Sequence, residues 1–144
     1  MSGIFNLGDE PITIAVTNSV ITEGVSSGNV AQSLIDGLDW MAAVTLQFNF
    51  TYGSGGTNLK VDVETSMDQG FSWVPIARAA FTTVSAEKVV NLSGLTPVTT
   101  FYTPATLSDD TVKDGILGDR LRAKITSTGT YAGNTSISVR AAVR

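Results

Sequence analysis

Between residues 41 and 52 the chain alternates. Val44, Leu46, Phe48, Phe50 and Tyr52 fall on one parity, with Thr45, Gln47, Asn49 and Thr51 on the other. A period of two predicts a strand with one buried face. The pattern returns at 59–66, where Leu59, Val61 and Val63 alternate with Lys60, Asp62 and Glu64. It returns at 121–126, with Leu121, Ala123 and Ile125 opposite Arg120, Arg122 and Lys124, and again through Ile137, Val139 and Ala141. In 71–81, Phe71, Trp73, Pro75, Ala77 and Ala79 share a parity and are expected to face inward. A short strand is predicted at 88–92. Residues 11–22 read as one strand carrying Ile12, Ile14 and Val16, or as two broken at Asn18. Residues 26–29 read as a turn. Residues 30–38 are ambiguous, because Val30, Leu34 and Leu38 have helical spacing while Gly37 and the flanking turns favour a strand or a short helical turn.

Eight or nine short strands separated by Gly-rich turns, with no long helix, predict an all-β antiparallel β-sandwich. A jelly roll of about eight strands fits best, and an immunoglobulin-like sandwich second. The least regular stretch is 93–119, which holds Pro97, Pro104 and the polar run Ser108-Asp109-Asp110-Thr111. Residues 1–11 read as an extended N-terminal arm ahead of a sandwich domain at 12–144. Ile4, Phe5 and Leu7 are too few to form a core of their own. Such an arm packs on its own sandwich edge or reaches a neighbour, so these three are the candidate assembly contacts.

The turn between the 59–66 and 71–81 strands has its own chemistry. In Ser66-x-Asp68-x-Gly70-x-Ser72-Trp73, Asp68 is placed to bind backbone N–H groups and Gly70 to take positive φ. It resembles the Asp-box, a hairpin turn repeated in sialidases and other β-propellers. One copy in 144 residues is read as a structural turn formed by Ser66, Asp68, Gly70 and Trp73, with Trp73 as a core anchor.

Composition narrows the function. The chain has no cysteine and no histidine, which removes thiolate metal sites, disulfides and the commonest general base. Charged residues are 15% of the total, against about 25% in ordinary soluble domains. A chain so poor in charge is expected to hide surface in an oligomer or larger assembly. Six of the nine basic residues lie after position 112, and the net charge is −4. That balance argues against a nucleic-acid partner. The N-terminus has no basic region followed by an apolar run, and no apolar stretch is long enough for a membrane span.

Other chemistry is sparse. Asp109, Asp110, Asp114 and Asp119 lack calcium-loop spacing and read as solvated acids, so no metal is expected. Asp62 and Glu64 share a strand face and are placed on the solvent side. Most aromatic residues fall on apolar parities, leaving Tyr52, Phe101, Tyr102 and Tyr131 beside loops as candidate sugar-stacking rings.

Four segments carry a family resemblance. They are Leu59-Lys60-Val61-Asp62-Val63-Glu64-Thr65-Ser66, then Asp68-Gln69-Gly70-Phe71-Ser72-Trp73-Val74-Pro75-Ile76-Ala77, Leu117-Gly118-Asp119-Arg120-Leu121-Arg122-Ala123-Lys124, and Thr126-Ser127-Thr128-Gly129-Thr130. Together they resemble small virion proteins of tailed bacteriophages, over about residues 40–144. The resemblance implies a non-enzymatic capsid decoration or cement protein, made in the host bacterial cytoplasm and carried in the virion. It further implies a homotrimer bound to the major capsid protein, without cofactor, nucleic acid or membrane. The alternatives are a glycan-binding module of a phage fibre or spike, and a head–tail connector or tail-tube subunit.

Overall fold

The computed structural model describes residues 3–22 and 37–144, and these contain strands and no helix. In chain order they are β1 (Gly3–Pro11), β2 (Ser19–Val20), β3 (Ala43–Thr51), β4 (Ser54–Gly55), β5 (Asn58–Ser66) and β6 (Val74–Phe81). There follow β7 (Ala86–Ser93), β8 (Thr111–Val112), β9 (Arg120–Thr128), β10 (Tyr131–Ala132) and β11 (Ser136–Val143). One sheet runs β1-β11-β3-β7 and the other β2-β9-β5-β6-β8, while β4 and β10 form a small ribbon. All pairings are antiparallel.

The pairs β1·β11, β2·β9, β3·β7 and β5·β6 nest inside one another. Nested pairs are what one long hairpin produces when it folds over into two packed antiparallel sheets, a β-sandwich. Of these strands β2 is only two residues long. The expected turn at 26–29 and the ambiguous stretch up to residue 36 lie outside the described residues.

The alternating segments meet inside. Val44, Leu46, Phe48 and Phe50 of β3 pack with Leu59, Val61 and Val63 of β5 in one core, joined by Leu121, Ala123 and Ile125 of β9 and Ile137, Val139 and Ala141 of β11. Aromatic rings plug one end. Phe50 lies 5.1 Å from Phe81 and 5.8 Å edge-on to Tyr131, whose hydroxyl donates to Thr82 O at 2.7 Å.

Two bulges alter the expected faces. Val63 pairs with Ala77 but Glu64 with Pro75, so Ile76 is an extra residue in β6. Ile76 and Ala77 are consequently both buried. A bulge flips the parity of everything beyond it. Val74 therefore points inward. Phe71, expected inside, lies in the turn ahead of β6 and stands 89% exposed, and Trp73 is half-buried.

In β1 the pairing passes from Asn6↔Arg140 to Gly8↔Val139, leaving Leu7 as the extra residue with its side chain fully buried. Gly8 has φ +146°, and a Cβ there would lie 2.3 Å from Ile21 O. Gly3–Pro11 thus lies along β11 at the edge of its own sandwich, the first of the two placements open to an arm. The strand is clasped by Asp9, whose carboxylate accepts from Arg140 Nη2 at 2.9 and 3.0 Å and from Ser138 Oγ at 2.5 Å.

The Arg140 hydrogen bond, and after it that of Ser138, lowers the Asp9 pKa from 3.8 to about 2. Because the folded value is the lower one, the clasp stabilises above the unfolded value, and that contribution is lost as pH falls from about 4 through about 2. Solvent screening keeps the gain small at this half-exposed site. Hydrogen exchange on acidification is expected to show the β1 amides loosening before those of β3. Simultaneous loosening would contradict the clasp.

Candidate functional site

The β5–β6 turn is built as its residue types require. Ser66 Oγ accepts from Gly70 N at 2.8 Å and donates to Asp68 Oδ1 at 2.9 Å. Asp68 accepts from Ser72 N at 2.8 Å and Ser72 Oγ at 2.5 Å, and these bonds, the hydroxyl's first, lower its pKa. Gln69 and Gly70 both take positive φ, at 64° and 89°. Trp73 Nε1 donates to Gly70 O at 3.1 Å, so the indole closes the turn. Each side chain holds backbone rather than an open cavity, which makes this a rigid hairpin cap. Ser66 is fully buried, so Ser66→Ala leaves the Gly70 N–H unsatisfied and is expected to cost about 1–2 kcal/mol in urea unfolding. A cost near zero would mean that water replaces the hydroxyl.

Trp73 is not a core anchor. Its ring lies on the outer face of the β5 sheet, 4.2 Å from the Arg122 guanidinium. That face holds a second departure from expectation, since Asp62 and Glu64 are only 3% exposed and not solvated. Arg78 grips both oxygens of Asp62, at 2.7 and 2.8 Å. Glu64 takes Arg122 Nε at 2.8 Å on one oxygen and Lys124 Nζ at 3.0 Å on the other. The register explains the pairing, because Asp62 lies opposite Arg78 and Glu64 opposite Arg122. Flanking cations and the indole cover the two acids. With every oxygen engaged, these carboxylates serve as cross-strand ties.

The loop acids are also engaged, and so are not simply solvated. Asp109 meets Lys60 at 2.5 Å on β5, and Asp110 meets Lys88 at 2.9 Å on β7. Asp110 also accepts from Ala80 N at 3.0 Å, so this loop fastens to both sheets. Asp114 accepts from Ser93 N at 2.6 Å and Thr96 Oγ1 at 2.9 Å. Asp119 lies 3.6 Å from Arg120 Nε. Among the described residues no group of three or more acidic side chains is placed to hold a metal ion.

What the structure does present is an apolar end. Met67, in the β5–β6 turn, and Phe101, in the long β7–β8 connection, are 62% and 105% exposed. With Val74, Val98, Pro104 and Ile116 they line a cavity of about 350 Å³. Exposed Phe71 and Leu95 belong to the same two segments. Phe71 stands in the turn ahead of β6, where strand parity does not govern the direction of a side chain. Tyr102 lines the same cavity, with its ring under Lys113 at 4.2 Å. Of the other rings expected beside loops, Tyr131 is buried and Tyr52 half-buried. The arm residues separate: Ile4 is exposed, Phe5 packs against the core and Leu7 lies within it.

No family model, curated protein or solved structure matches the chain. Among the described residues no helix is long and apolar enough to cross a membrane.

Proposed function

We propose that this protein is a non-enzymatic virion subunit, a capsid decoration protein that stabilises a phage head through contacts with the major capsid protein. The apolar end carries the reading. Large apolar side chains exposed together are costly in water and mark a surface that another protein covers. Here Met67, on a hairpin held rigid by Ser66 and Asp68, lines one cavity with Phe101 of the β7–β8 connection. Preorganised contact residues lose little freedom on docking.

The low charge of the chain and its resemblance to phage virion proteins support the same role. The outer edge of β1, with exposed Ile4 beside it, supplies a further contact surface. Phe5 and Leu7 act within the sandwich and support that edge from below. The protein works as a homotrimer, needs no cofactor, and passes from the bacterial cytoplasm into the virion without binding nucleic acid or membrane.

Particles produced by the encoding genome, banded on a density gradient and probed by immunoblot, test this. The protein is expected in the band of DNA-filled particles, at a fixed ratio to the major capsid protein. Its absence from every particle band would overturn the virion role.

A further inference from the structure

A second feature lies beside the apolar end, across the segment holding Leu117 and Gly118. Leu38 and Met41 are buried, and Met41 N donates to Leu38 O at 3.2 Å, closing a four-residue turn. Leu38 N is in turn anchored on Asp119 O at 2.9 Å. The third residue of the turn is Trp40, with φ +65° and 94% exposure. Turns that need positive φ at that position give it to Gly or Asn, because a bulky side chain is strained there. Trp40 is therefore unfavourable twice over, in backbone and in hydration. Strain held in place by buried anchors marks a position kept for contact with something else.

The surroundings indicate what. A cleft of about 560 Å³ opens beside the indole, lined by Asp39 and Asp119 with Leu38, Met41, Leu117 and Gly118. That volume suits a small ligand of a few rings. No Lys or Arg lines it, and Arg120, 3.6 Å from Asp119, is mostly buried, so an anionic ligand would meet the two carboxylates first. A protein partner would have to bury those same carboxylates, which interface centres disfavour. A neutral sugar meets neither obstacle, since its C–H face packs on an indole and its hydroxyls donate to carboxylate oxygens.

The geometry points to a binding site for neutral saccharides, with Trp40 as the stacking platform and Asp39 and Asp119 as hydroxyl acceptors. It is separate from the Met67–Phe101 surface and does not depend on a place in the virion.

The test uses the full chain on an array of neutral hexose and N-acetylhexosamine oligosaccharides, with sialylated and uronate members alongside. The strongest neutral ligand is then titrated by tryptophan fluorescence. Saturable binding of a neutral member, with a blue shift of emission, is expected. Trp40→Gly should weaken binding about tenfold or more while melting no lower than the parent, because glycine suits the turn. Asp119→Asn should weaken binding with the emission shift retained. Failure of every neutral member to bind would overturn the site, as would preference for the anionic members. Equal binding by Trp40→Gly would do the same. A silent array together with a lower oligomer mass for Trp40→Gly would assign the indole to a protein contact instead.

Discussion

Glu64→Ala is expected to lower the free energy of unfolding by about 3–5 kcal/mol, the range for breaking a buried ion pair from one side. Glu64 is almost wholly buried and joins Arg122 and Lys124 of the neighbouring strand through its two oxygens. Removing the carboxylate leaves Arg122, itself buried beneath Trp73, with its charge uncompensated on that side. The loss comes from desolvated charge rather than from attraction alone, and this gives a discriminating control. Replacing both partners, as Glu64→Leu with Arg122→Met, should recover most of the stability, because a buried pair and an apolar pair of similar volume are nearly equivalent. Urea unfolding of the single and double variants reads this directly. A single-variant cost below about 1 kcal/mol would place the pair among solvated surface bridges.

The second large effect concerns β1. Leu7→Ala should cost about 2–5 kcal/mol, as for other fully buried leucines whose cavity closes incompletely. Deleting residues 1–11 should be more severe. It removes the Leu7 side chain from the core, uncovers the β11 edge and takes away the partner of Arg140. Since domains hold only about 5–15 kcal/mol in total, the truncated chain is expected to lose its cooperative thermal transition. A dispensable arm would give the contrary result, a truncated protein that melts sharply near the parent temperature.

Those two sites also show where sequence pattern stops informing. The strands β3, β5, β9 and β11 are plain from parity, because each keeps its apolar core residues on one face in unbroken alternation. The inward face of β6 was not, since a single extra residue at Ile76 exchanges the faces on either side of it. The Leu7 bulge likewise hid a nine-residue strand among glycines and acids.

Asp62 and Glu64 share a parity that alternation assigns to solvent, and they are on that face. Their burial arises from neighbours on other strands. The available signal was complementary charge, with Arg120, Arg122 and Lys124 on one parity of β9 and acids on one parity of β5. Pairing those strands in register buries the charges together. The hairpin cap, by contrast, was legible residue by residue, because Ser66, Asp68 and Gly70 act on backbone a few positions away. The apolar end was not, because it brings together Met67 and Phe101 from segments far apart in the chain.

The measurement that most directly tests the assembly role is the solution mass of the full chain by light scattering, beside a Met67→Ser, Phe101→Ser double variant. Three chains of 15.1 kDa make about 45 kDa, and the account predicts that mass for the parent and a smaller one for the folded variant. A folded parent of one-chain mass would contradict the trimer. A six-chain mass would point instead to a ring-forming tube subunit.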